Sequence, residues 1–321
     1  MIFLYFMISA IVFLLLANYL YKRIVLYNTQ EEQIIRASRK QNAYDIASFG
    51  SSYARYAFDF SDTTLKGANF GLLPQFLHYT EKMVKDYRHT YKDNALIVIV
   101  LPNLVFAREG KGLYGAERYI NLLSKKALGD EYSIKKYIIQ KLFPLLVPTK
   151  HNIKKVLRNI LNYRKDVAEY NQTVNVLSET EVRKSAKQRC NDWIKEFGLI
   201  DTKTASGMEH LETEFVKSRE VLSRIIEYSL SEGLRPVLVV TPVSTEMKEE
   251  LSDAFLDKVL YNNIRMANTA NVPFLDYLTD SRFTDRTNYS GNADFLNARA
   301  RKEFSQIVIN DAIAAYSRYD R

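Results

Sequence analysis

Seven consecutive apolar residues, Ala95 to Leu101, run between Asn94 and Pro102, and four of them are β-branched. A run with no polar position has no face to offer to water, so as a strand it must be covered on both sides. Parallel sheets supply that environment, and each parallel pairing needs a crossover, usually through a helix. Pro102 then closes the run, because proline gives no N–H to a ladder. Arg235 to Val240, followed by Thr241-Pro242-Val243, repeats the pattern, and Val272-Pro273-Phe274-Leu275-Asp276 is a shorter strand. Between these runs the apolar spacing turns helical. Leu72 to Tyr91 places Phe76, Leu77, Thr80, Met83, Val84 and Tyr87 on one side, and Ala298 to Tyr316 is an amphipathic helix. Strands alternating with helices predict an α/β fold with a mainly parallel sheet. Such sheets bind ligands at the carboxyl ends of their strands, where Ser52, Asn103, Pro242 and Asp276 fall.

The first strand of that sheet reads as Tyr44 to Phe49, and it runs into Gly50-Ser51-Ser52 and a segment, Tyr53 to Phe60, that begins a helix. Strand, glycine turn, serine, helix is a geometry that presents a nucleophile. The sharp bend needs a residue without a Cβ, and the helix start offers N–H groups to a developing oxyanion. The same tripeptide is also an ordinary turn.

The chain has 321 residues, 47% hydrophobic and 26% charged, which suits one large domain or one domain with an insertion. The single cysteine, Cys190, excludes an intramolecular disulfide and a cysteine metal cluster. The four histidines (His78, His89, His151, His210) have no metal-ligand spacing, and no cofactor is expected. A net charge of +8 favours anionic partners such as phospholipid headgroups or acidic polymers.

Met1 to Tyr21 carries no charged side chain and is long enough, as a helix, for a bilayer core. Lys22 and Arg23 stop it, and there is neither a basic n-region nor a small-residue cleavage site. A single-pass anchor in contact with membrane lipid is predicted for 1–21, followed by a polar helical stalk over 22–42. By the positive-inside rule the basic pair leaves the body cytoplasmic. The stretch 108–214 does not follow the strand–helix alternation. Between Glu131 and Asp166 it holds nine Lys or Arg and no acid, with an apolar face through Leu142, Leu145, Leu146, Val156, Leu157, Ile160 and Leu161. It reads as a basic helical cap that lies on an anionic membrane or grips an anionic polymer, or as the solvated face of a helical insertion. No stacking motif or recognition element accompanies the charge, so nucleic acid is not expected.

With Gly50-Ser51-Ser52 after the first strand, Asn69-Phe70-Gly71 after the second and Leu101-Pro102-Asn103 after the third, the chain resembles the SGNH/GDSL hydrolase superfamily. It is most similar to membrane-anchored members associated with cell-surface polysaccharide and teichoic acid modification. Pro236 to Ser244, Phe274 to Tyr277, Asp280 to Thr284 and Asn292 to Phe304 resemble the later blocks. The resemblance implies a three-layer, flavodoxin-like parallel sheet over 43–107 and 215–321, with 108–214 inserted. It makes Ser52 the nucleophile, with Gly71 and Asn103 as oxyanion donors, although Asn103 lacks the family's Gly-x-Asn-Asp surroundings. The terminal block departs further. Where the family has Asp-x-x-His, this chain has Asn292-Ala293-Asp294-Phe295, and neither Asn292 nor Phe295 can act as the orienting acid or the base. Asp294 and Asp276 are the candidate substitutes, and His78 is a helix residue rather than a base.

Three functions stay open. One is an SGNH-like protein without the usual catalytic machinery that binds an acylated or anionic cell-surface glycan beside polysaccharide-biosynthesis proteins. The second is an active esterase or O-acyltransferase using Ser52 with another base. The third is a membrane-tethered scaffold acting through the basic insertion. The family places the body outside the cytoplasm, opposite to the charge rule.

Overall fold

A computed structural model describes residues 2–27, 29–107, 115–144 and 176–319. Its strands are β1 (Tyr44–Phe49), β2 (Gly67–Asn69), β3 (Tyr91–Val100), β4 (Arg235–Val240) and β5 (Phe274–Asp276). The helices used below are α1 (Ile2–Tyr21), α2 (Gln30–Ser38), α3 (Ser52–Ala57), α4 (Leu77–Asp86), α5 (Ile134–Leu142), α6 (Glu179–Phe197), α7 (Glu212–Ser231), α8 (Thr245–Glu249) and α9 (Ala298–Tyr319). By internal contacts the chain forms two units, 1–39 with 114–172, and 40–113 with 173–321.

The second unit holds a five-stranded sheet in the order β2-β1-β3-β4-β5, every pairing parallel. The order reverses at β1, as in one of the two common doubly wound α/β arrangements, where the ligand crevice opens between β1 and β3. The all-apolar run predicted for the centre is there: Ile97 to Leu101 of β3 and its exit are buried throughout, with Val98 paired to Ser48 on one side and Val237 on the other. The edges, β2 and β5, are three residues each, which limits the exposed ladder. One layer of the core is aromatic. Phe49 stacks on Phe70 at 5.2 Å, and Tyr87 and Tyr91 complete the cluster. Helix α9 lies against α3, where Phe304 meets Phe58 and Ser305 Oγ accepts the Asp59 N–H at 2.8 Å. That contact brings the terminal block to the start of the chain's first crossover.

Two of the expected segments contain helices of these units. Helix α6 lies inside the expected 108–214 insertion, but by internal contacts 173–321 groups with the α/β unit. The reason is packing: Val182, Ala186, Cys190 and Trp193 form a buried stripe along α6. The expected helical stalk over 22–42 contains α2. Within the first unit α2 buries Ile34, and its Glu31 accepts two hydrogen bonds from Arg118 at 2.7 and 3.0 Å. In the same unit Phe3–Tyr21 has a mean hydropathy of 2.2 and is long and apolar enough to cross a membrane. The apolar residues predicted from Leu145 to Leu161, and the lysines and arginines from Lys150 to Lys165, lie outside the described residues.

Candidate functional site at the carboxyl edge of the sheet

Gly50 ends β1 at φ +138°, a conformation that L side chains rarely adopt, and a Cβ there would sit 2.9 Å from the Val100 carbonyl oxygen. The backbone therefore turns hard against β3, and Ser52 opens α3 directly after it. Because β1 and β3 are neighbours, the Gly50-Ser51-Ser52 turn and the Leu101-Pro102-Asn103 exit stand side by side at the crevice. Ser52 is buried, and among the described residues no hydrogen bond is made to its Oγ.

Asn69 holds the second loop in place. Its Nδ2 donates to the carbonyls of Ala54 and Phe58 at 2.9 Å each, and its Oδ1 accepts the Gly71 N–H at 2.9 Å. The Gly71 amide, expected to serve an oxyanion, is thus committed to Asn69. The space a Cβ would need at Gly71 is taken by Arg55 N and Ala54 Cβ, both under 3.0 Å away, so the glycine is there for loop-to-helix packing. Asn103, by contrast, is buried with no partner for its Nδ2.

The terminal block packs on α3. Phe295 stacks on Tyr56 with ring centroids 4.7 Å apart, and meets Tyr53 edge-on at 5.5 Å. Tyr56 follows Ser52 by four residues and lies on the same side of α3. The Arg189 guanidinium caps the outer side of the ring, 5.1 Å from its centroid. Asp294, the candidate substitute base, has a side chain that is 1% exposed and is held from two sides. Tyr53 donates its hydroxyl to Oδ2 at 2.5 Å, while Arg189 donates through Nε to Oδ2 at 2.9 Å and through Nη2 to Oδ1 at 3.3 Å. Burial, then the Asp294 charge, pushes the Tyr53 phenol well above its usual value. At Arg189 burial opposes the charged form, but Asp294, Tyr53 and Asp192 together raise the guanidinium pKa above its usual value. Asn292 is half-exposed at the start of the block, and Ala293 donates its N–H to Ser185 Oγ of α6.

The other candidates lie elsewhere. Asp276 ends the edge strand β5, three strand spacings or about 14 Å from β1. It is exposed and accepts the Leu278 N–H at 3.0 Å. His78 is in the first turn of α4 and packs on Tyr79 and Phe76. His89 and His210 contact the backbone carbonyls of Asp86 and Phe197. No group of three His, Cys, Asp or Glu among the described residues is arranged to hold a metal.

Arg189, which controls Asp294, carries no sequence signal of its own. The start of its helix does: Ser178 and Glu181 form a complete capping box. A second feature emerges only in three dimensions. Asn103 Nδ2, Thr241 Oγ1, Glu246 Oε2 and the Tyr289 hydroxyl are all buried without a partner, on segments that leave the carboxyl ends of the strands or return to them. Burial and the charges of Asp294 and Glu246 push the Tyr289 phenol well up. A buried polar atom left unpaired costs about 1–3 kcal/mol, so each of these groups is a local cost to the fold. An open depression of about 480 Å³ is lined by Thr245, Lys248, Glu249, Leu251, Thr279 and Thr284.

Comparison with known proteins gives no match to a protein-family model or to a curated protein. The chain is an α/β protein with a five-stranded parallel sheet and an N-terminal helix long and apolar enough to span a membrane.

Proposed function

We propose that this chain is a membrane-anchored SGNH-hydrolase-like protein that binds an acylated or anionic cell-surface glycan in its crevice without hydrolysing it, in concert with polysaccharide-biosynthesis proteins. The observation that carries the reading is the packing at Phe295. At the motif position of the family's base stands an aromatic ring stacked on Tyr56 and capped by Arg189. The neighbouring carboxylate, Asp294, has both oxygens engaged by the Arg189 guanidinium and the Tyr53 phenol, with no hydrogen bond to Ser52. A serine hydroxyl without a base is a weak nucleophile near neutral pH, and loss of one triad member lowers rate by several powers of ten. Asn103, at the exit of β3 next to β1, keeps an unpaired side-chain amide of the kind a hydroxyl-rich ligand would engage.

The reading is tested with a fluorophosphonate probe on the full-length protein in detergent. Wild type is expected to label no more than Ser52→Ala. Labelling that disappears in Ser52→Ala sinks the non-catalytic reading in favour of an esterase or acyltransferase. Phe295→His combined with Asn292→Asp is expected to introduce Ser52-dependent labelling, since Arg189 beside the new imidazole keeps it neutral and able to accept a proton.

A further inference from the structure

Helix α5 has two faces with different fates. Its Gln140 side chain donates to the Glu117 carbonyl at 3.0 Å and accepts from Asn121 at 2.9 Å, and Lys136 forms an ion pair with Glu117. These contacts attach one side of the helix to the rest of its unit. At about 100° per residue, Ile134, Ile138 and Leu142 fall together on the opposite side, within an arc of about 80°. All three are open to solvent, 61%, 45% and 55% exposed. Lys135 and Lys141, both exposed, border that arc on its two edges. The helix is therefore amphipathic in the wrong sense for a protein surface, with its apolar stripe outward and lysines along the rim.

The position of α5 says what covers the stripe. Lys22, the first residue after α1, donates its Nζ to the Lys141 carbonyl at the C-terminal end of α5. The apolar stripe thus begins where the membrane-spanning helix would leave the bilayer. We propose that α5 lies in the bilayer interface, with Ile134, Ile138 and Leu142 inserted among the lipid chains and Lys135 and Lys141 on anionic headgroups. The occupant is the lipid that surrounds the exit of α1, on whichever side that exit faces. Apolar burial and electrostatic attraction act together in such helices. This inference is independent of what the crevice binds.

The test uses full-length protein with Cys190→Ala and a single labelled cysteine, at Ile138→Cys, at Leu142→Cys as a second site, or at Lys136→Cys on the attached face. The label is an environment-sensitive nitrobenzoxadiazole fluorophore, and the protein is reconstituted in equimolar phosphatidylcholine and phosphatidylglycerol. Labels at 138 and 142 are expected to emit blue-shifted and to be quenched several-fold by doxyl-labelled lipid, while the label at 136 stays water-like and unquenched. Pure phosphatidylcholine, or Lys135→Glu with Lys141→Glu, is expected to reduce the quenching at 138. Water-like emission at both 138 and 142 overturns the proposal. So does blue-shifted emission without lipid quenching, which means that protein covers the stripe, and so does equal quenching in pure phosphatidylcholine.

Discussion

Asp294 and Arg189 lie 105 residues apart in sequence and meet as a buried carboxylate and a guanidinium that still reaches solvent on one side, with side chains 1% and 28% exposed. Removing the cation leaves an uncompensated buried charge, and such losses cost about 3–5 kcal/mol. Since Arg189 is partly wet, Arg189→Met is expected to destabilise the protein by about 3 kcal/mol, read as a lowered midpoint in urea unfolding. The tyrosines make a sharper comparison. Tyr53 donates to a charged acceptor, so Tyr53→Phe is expected to cost about 1.5–3 kcal/mol. The Tyr91 hydroxyl is buried with no partner, and removing it relieves a desolvated group. Tyr91→Phe is therefore expected to be neutral or to raise stability by about 1 kcal/mol in the same assay.

Short elements here depend on side chains that close their ends. Helix α3 has only six residues, too few to stand without tertiary support, and its C-terminal carbonyls find a donor in Asn69. One asparagine thereby ties β2, the Gly71 loop and the Ser52 helix into a single piece. Asn69→Ala is expected to cost about 3 kcal/mol and to increase amide hydrogen exchange in residues 52–58. Unchanged exchange there would mean that α3 is held by its aromatic contacts with Phe295 and α9. The strands and α9 were readable from apolar runs and helical spacing, and the Gly50 turn from its Gly-Ser-Ser chemistry. The role of Gly71 was not, because its amide partner depends on how the Asn69 side chain folds back.

Over the whole molecule, the buried tyrosines are expected to make stability fall in alkali. Burial pushes Tyr53, Tyr91 and Tyr289 well above their usual value near 10, with neighbouring charges adding to it. Above about pH 10 the unfolded chain releases these phenolic protons while the folded chain keeps them. The folded state then binds more protons, so stability falls as pH rises, by up to about 1.4 kcal/mol per pH unit for each tyrosine. Below that pH these groups contribute no slope. Thermal unfolding by circular dichroism, followed from about pH 8 to pH 11, is expected to be flat at first and then to fall, and Tyr91→Phe is expected to flatten the fall.

The sequence by itself determined the parallel sheet, the crossover helices, the turn at Gly50 and the apolar helix at the N-terminus. Each of these follows from residues within a few positions of one another, where backbone conformation and hydrophobic period are decided. Tertiary structure alone decided that α6 joins the α/β unit, that Arg189 reaches Asp294, and that Phe295 stacks on Tyr56 of α3. These contacts join residues roughly 105 to 240 positions apart. Loop closure over such distances is entropically cheap per added residue and leaves no periodic trace in the chain.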